Sequence, residues 1–246
     1  MKRKEIVRVA GVTILYFAKE DIIINIQSYI NQIELLYIVA NSDSEPIEDI
    51  KKRFPTSKII FLENHKNVGI ATALNQAIDH SMSDGFDFLL MMDQDSKVSN
   101  LLVELMLKEF EADEMVGILA PYIIHEKNPK LPSNSIKEEL QIAITSGSII
   151  KLSLIEQVGK FLDKLFIDYV DFEFSLRVIS KGYKIIQINN AFVFHKLGDI
   201  TQNYFFGKKI FPTNHSPIRC YYRTRNRFYI YKLYQNLFPD FVRDDK

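Results

Sequence analysis

The chain has 246 residues with 31 basic and 31 acidic side chains, so no net field draws it to nucleic acid or membrane and any such attraction must come from a local patch. A hydrophobic fraction of 47% is enough for one sizeable α/β domain or two small ones and excludes a disordered chain. The single cysteine, Cys220, excludes an internal disulfide framework and a Cys-rich zinc site; it suits a reducing cytoplasm and reads as a small buried hydrophobe.

The basic start of the chain turns apolar, but Glu5 and Arg8 interrupt it and no small-residue cleavage site follows, so "VAGVTILYF" reads as a first strand. No uncharged run approaches the ~20 apolar residues of a spanning helix. Helical periodicity in "EDIIINIQSYINQI" predicts a helix next. The alternation continues with "LLYIVA" as strand, "PIEDIKKRF" as helix, "KIIFLE" as strand, "VGIATALNQAIDHSM" as helix, "FDFLLMM" as strand and "SNLLVELMLKEFEAD" as helix. Continuously apolar strands between amphipathic helices predict an α/β fold with an open, doubly wound, mostly parallel sheet. After "VGILAPYII" the rhythm breaks in the polar, Pro/Asn-rich "HEKNPKLPSNSIKEEL", which reads as a loop, and shorter elements follow. "SPIRCYYRTRNRFYIYKLYQNLF" predicts a C-terminal helix opened by Ser-Pro.

"FLLMMDQDSKVS" places Asp93 and Asp95 directly beyond a strand, and in an open α/β sheet ligands bind at the carboxyl ends of strands. Three readings compete. Asp95 or Ser96 caps the helix that begins near Ser99. Alternatively, Asp93 is the nucleophile of a phosphatase, although that chemistry belongs to the first strand of its fold and three strands precede this one. Or the two carboxylates hold a divalent cation against a diphosphate, where a hard ion offsets the charge that develops on the leaving group.

Further segments resemble inverting family-2 glycosyltransferases of the GT-A, nucleotide-diphospho-sugar transferase fold, in which an Asp-x-Asp follows the fourth strand. "NHKNVGIATALNQAI" is similar to their Asn-x-Gly segment near the donor, and the resemblance assigns Asn67, Gly69 and Asn75 to nucleotide-sugar binding. "FIDYVDFEFSLRVISKGYKI" and "FHKLGD" resemble the subgroup of bacterial rhamnosyltransferases of polysaccharide assembly. These matches run in family order from about residue 10 to 230. They imply one glycosyltransferase domain over 1–246, with a nucleotide-sugar half (1–121), a smaller acceptor-side half (122–215) and a helical segment (216–246).

The same resemblance implies Asp171 as general base, with Asp168 and Glu173 as rivals from the residues alone, Asp168 also being placed to cap the helix. It implies Asp95, His195 and Asp93 around Mg2+ or Mn2+, Asp93 also touching the donor, and Glu173 and Arg177 on the acceptor side. Arg225 is the family-like candidate for the donor diphosphate. The implied donor is dTDP-rhamnose and the acceptor a glycan or lipid-linked glycan. Localisation is expected to be cytoplasmic, at the inner face of the plasma membrane for a lipid-linked acceptor.

Two departures from the pattern stand out. Phe17 and Ala40 occupy positions where the family carries Asn and Asp beside the nucleoside, leaving Asn41 or Asp43 to contact it. They keep open a different donor such as a UDP-hexose, or a non-catalytic nucleotide- or glycan-binding module. Arginines and tyrosines alternating in the C-terminal helix would also suit a single-stranded nucleic-acid platform or a membrane interface; the neutral net charge speaks against nucleic acid.

Overall fold

The computed structural model describes residues 7–19, 21–125, 132, 134–195, 203–205, 208–210 and 216–245. The 196–199 part of "FHKLGD" lies outside them.

Strand β1 (Val9–Leu15) is followed by α1 (Ile22–Tyr29), β2 (Leu35–Ala40), α2 (Ile47–Arg53), β3 (Ile59–Glu63), α3 (Ile70–Ser83) and β4 (Phe88–Asp93), in the order that the alternating periodicity predicts. β2 pairs with β3, and β1 with both β2 and β4, all in parallel. Next come β5 (Ser96–Val98), α4 (Leu102–Ala112), β6 (Val116–His125), β7 (Lys137–Glu139), β8 (Ile149–Lys151), α5 (Ser153–Val158), α6 (Val170–Ser180) and β9 (Lys184–His195). The sheet runs β3-β2-β1-β4-β8-β6-β9-β5, with β7 also on β9. Because β8 is antiparallel to both β4 and β6, and β6 is parallel to β9, β6 and β9 run with the N-terminal strands, so the sheet is mostly parallel.

Side chains alternate between two cores, as pleating requires. Ala10, Val12, Tyr37, Val39, Leu89 and Met91 face α3, α5 and α6. Val9, Leu15, Leu36, Ile38, Leu90 and Met92 face α1, α2 and α4. Helices on both faces bury the continuously apolar strands, and the sheet is doubly wound. Phe174 of α6 is 2% exposed in the first core, and its truncation to Ala costs about 3–5 kcal/mol.

Three elements differ from the sequence reading. β1 stops at Leu15, and Tyr16 and Phe17 form an exposed turn, Phe17 with φ 49°. The segment read as a loop contains β7, a three-residue strand on the edge of β9. β5 was not predicted; it too exists through pairing with β9. At the C-terminus α7 (Pro217–Tyr234) is capped by the Ser216 hydroxyl, which accepts from the Arg219 N–H, and α8 (Pro239–Asp244) follows. The inward face of α7 is Asn226, Ile230 and Tyr234, four residues apart. Cys220 lies off that face and is exposed rather than buried.

Candidate active site

β4 ends at Asp93, and the chain then turns into β5, whose Ser96 pairs in antiparallel register with His195 of β9. That pairing brings residues a hundred positions apart together: the ligand atoms of Asp93, Asp95 and His195 lie within 4.8 Å of one another. His195 Nδ1 is 3.6 Å from Asp95 Oδ1 and 2.8 Å from the Ser96 hydroxyl. Two carboxylate oxygens and an imidazole nitrogen form a donor set that fits Mg2+ or Mn2+. The capping reading fails, because α4 starts at Leu102, has no side-chain cap, and is separated from Asp95 by β5.

Asp171 stands in the first turn of α6, half-buried, with its Oδ1 accepting from the Phe172 N–H at 3.0 Å. Removal from water, together with repulsion from Asp93 and Asp168, raises its carboxyl to about 6. Asp93 is likewise raised to about 6, first by desolvation and then by the Asp95 carboxylate, against attraction from His195 and Arg219. The two carboxyls therefore feel each other, and Asp171 belongs electrostatically to the Asp93 cluster.

The loop before α6 is unusual. Phe166, Asp168 and Tyr169 all have φ near +60°, a conformation that costs non-glycine residues free energy. Three contacts hold it. The fully buried Asn226 donates to the carbonyls of Leu165, Ile167 and Asp168 at 2.8–2.9 Å. Arg225 donates to the carbonyls of Lys164 and Leu165. Arg219 bonds both carboxylate oxygens of Asp168 at 3.1–3.3 Å. Asp168 therefore pairs with α7, and α6 has no side-chain cap. Asn226 and Arg219 were not singled out for this clamp from the sequence, although Asn226, four residues before Ile230, is a polar residue on an apolar face.

Glu173 is 1% exposed; it receives two bonds from Arg177 at 2.8–2.9 Å and one from the Tyr234 hydroxyl at 2.9 Å. Arg177 also donates to the carbonyls of Val158 and Lys160. This pair joins α6 to α7, and Glu173 is turned into the protein, unlike Asp171.

On the other side, Asn67 Oδ1 accepts from the Gly69 N–H at 2.9 Å, and Gly69 opens α3 with φ +84°. A Cβ there would lie 2.5 Å from the Phe166 ring, so only glycine permits the approach. The Phe166 carbonyl accepts from Ile70 N at 2.7 Å, so the start of α3 is joined to the loop carrying Asp168. Asn75 is buried and bonds both the N–H and the carbonyl of Phe161. Asn41, 3% exposed at the end of β2, accepts from Asn64 at 2.9 Å, whereas Asp43 is exposed beside His65. Gln94, between the two aspartates, bonds both the N–H and the carbonyl of Tyr16, and so ties the exposed Tyr16–Phe17 turn to the Asp pair.

Residues 12–166 match the model of Glycosyl transferase family 2. The chain belongs to that family. It is 31% identical over 183 residues to the dTDP-rhamnosyl transferase RfbF of Shigella flexneri, covering 66% of this chain and 60% of that one. Among solved structures, GalNAc-T7 with UDP, GalNAc and Mn2+ superposes with a TM-score of 0.71 at 10% identity, over 97% of this chain and 50% of that one. S. aureus TarS 1–349 superposes with a TM-score of 0.61 at 12% identity, over 77% and 60%. At such identities the likeness shows the fold, which is GT-A. The chain thus spans half to three-fifths of the length of these proteins.

Proposed function

We propose that the chain is an inverting glycosyltransferase that moves rhamnose from dTDP-rhamnose onto a growing cell-surface polysaccharide or lipid-linked glycan. The observation that carries this reading is the meeting of Asp93, Asp95 and His195 at the end of β4, with the desolvated Asp171 carboxylate in their field, in a family-2 chain. The rhamnosyl donor rests on the RfbF relative, a dTDP-rhamnosyl transferase.

In the proposed reaction Asp171 takes the proton of the acceptor hydroxyl while that oxygen attacks the anomeric carbon and the bond to the diphosphate breaks on the opposite face, inverting the centre. Burial favours this role, since a carboxylate short of water is a stronger base than a solvated one. Asp93, Asp95 and His195 would hold Mg2+ or Mn2+; when bound, the cation supplies a Lewis acid for the departing diphosphate. Glu173 and Arg177 support α6 from behind, so that Asp171 keeps its place near the acceptor.

Asn67, Gly69 and Asn75 shape the wall between donor and acceptor, and Arg225 steadies the loop that faces it. The buried Ala40 removes the acceptor that would pair with a base ring N–H, and Asn41 is engaged by Asn64, so base selectivity is weak. α7 exposes Ile218, Tyr221 and Phe228 and carries Arg223 and Lys232 on its exposed surface, outside the contacts that Arg219, Arg225 and Arg227 make within the protein, which supports contact with the anionic inner face of a membrane presenting a lipid-linked acceptor. No described helix is long and apolar enough to cross a membrane.

The test is turnover of dTDP-rhamnose, UDP-glucose and UDP-galactose with Mn2+, together with competition between dTDP and UDP. Transfer is expected to be fastest from dTDP-rhamnose, with the two diphosphates binding within about tenfold, ~1.4 kcal/mol, of each other. Faster transfer from a UDP-hexose would replace the donor assignment, and a hundredfold base preference would refute weak base reading.

A further inference from the structure

A small cleft opens beside Asp171, lined by Met91 and Ile118 of the sheet, Ala143 of the loop before β8, and Phe161 and Phe174. Its lining is buried except at Ile144, Thr145 and Asp171, which form the mouth. There is room for one water-sized group, about 10 Å3, and the surface presented to it is mostly apolar. Two hydroxyls in the lining are already engaged: Ser148 donates to the Ile144 carbonyl at 2.6 Å, and Ser175 accepts the Ala143 N–H at 3.2 Å.

The cleft is held in shape by the protein itself. The Phe161 and Phe174 rings pack with centroids 4.3 Å apart, and the buried Asn75 fixes the Phe161 backbone. Gly147 N donates to the Met91 carbonyl at 2.7 Å and Met91 N to the Ser148 carbonyl at 2.9 Å, which fastens the loop before β8 to β4.

In an inverting transfer the sugar ring lies between the diphosphate and the base, because the attacking oxygen enters on the face opposite the leaving group. Here that interval runs from Asp93 at the end of β4 to Asp171 in the first turn of α6. The cleft spans the same interval: Met91 precedes Asp93 on β4, and Phe174 follows Asp171 by one turn of α6. An apolar cleft for one group, at the edge of a sugar, fits an apolar substituent of that sugar. An ordinary hexose carries a hydroxymethyl arm at C5, whereas a 6-deoxyhexose carries a methyl.

We propose that this cleft takes the C6 methyl of the transferred sugar, so that Ala143 and Phe161 determine specificity for the 6-deoxysugar over its 6-hydroxy counterpart. The inference rests on the rhamnosyl donor proposed above. A hydroxymethyl arm would exceed the space and bury a hydroxyl against Met91, Ile118 and two phenyl rings. Its proton would also bond the Asp171 carboxylate, which must stay free for the acceptor.

Calorimetry with Mn2+ tests this without an acceptor, using dTDP-rhamnose, dTDP-mannose of the same hand as the 6-hydroxy counterpart, UDP-glucose, and dTDP as the ligand without a sugar. The native protein is expected to bind dTDP-rhamnose at least ~10-fold more tightly than dTDP-mannose. Ala143→Val, which fills the cleft, should weaken dTDP-rhamnose at least ~10-fold and leave dTDP within about twofold of native. Phe161→Leu, which enlarges it, should bring the two dTDP-sugars within about threefold of each other. Thermal unfolding checks that both variants are folded. A native preference within about twofold, with dTDP-rhamnose still bound more tightly than UDP-glucose, overturns the cleft assignment alone, as does a native-like preference in both folded variants. Tighter binding of UDP-glucose than of dTDP-rhamnose removes the rhamnosyl donor and this inference with it.

Discussion

The carboxylate of Asp168 is bound by the guanidinium of Arg219 at 3.1 Å, across 51 residues of sequence, and this ion pair neutralises one of the acids around Asp171. Arg219→Ala leaves the Asp168 charge uncompensated, which disfavours the ionised form of Asp171. The acidic limb of the kcat/KM–pH profile, expected near pH 6 in the native protein, should move upward. Asp168→Asn should move it downward, because the Asp168 charge that repels the Asp171 carboxylate is then removed. Profiles that stay fixed in both variants would separate Asp168 from the base.

Asp171 and Glu173 are two residues apart on α6 and should fail differently. Asp171→Asn keeps the shape but accepts no proton, so turnover should fall by at least ~10²-fold while dTDP affinity changes less than about twofold. Glu173→Gln leaves Arg177 with half its buried partner, which costs about 3 kcal/mol, or roughly 6–12 °C in Tm, with residual turnover by the folded fraction. Loss of chemistry in Glu173→Gln with an unchanged Tm would make Glu173 the base.

Much of this was readable before folding. The α/β alternation and the Asp pair past the fourth strand are local patterns, visible because apolar periodicity and strand ends are written in neighbouring residues. β5 and β7 were not, because three residues carry no periodicity and both strands exist only through β9. For the same reason a capping reading stayed open for Asp95 and Asp168: capping is a local rule, whereas their partners, His195 and Arg219, lie 100 and 51 residues away. Resemblance placed Arg225 near the donor and Glu173 beside the loop or the acceptor, whereas the protein groups that engage both side chains are ones that only the folded chain brings near.

Asp93 makes the metal-free fold sensitive to pH. Its folded carboxyl is raised to about 6 from an ordinary 3.8, so between these values the folded state binds more protons and stability falls as pH rises. Asp93→Asn escapes this cost. In chelator, the variant should melt above the native protein at pH 7, by about 3 °C for ~1 kcal/mol, and the difference should vanish by pH 4. A difference that is constant with pH, or of opposite sign at pH 7, would show that the carboxyl is not desolvated.

The central claim is that the carboxylates after β4 act on a diphosphate through a divalent cation. Calorimetric titration of dTDP, with and without Mn2+, into the native protein and Asp95→Ala tests it most directly. The account predicts that Mn2+ strengthens dTDP binding at least ~10-fold in the native protein and that Asp95→Ala abolishes the enhancement, because the residues that would hold the cation lose a charged oxygen ligand. Equal affinity with and without Mn2+ in the native chain, or a full enhancement in Asp95→Ala, would contradict it.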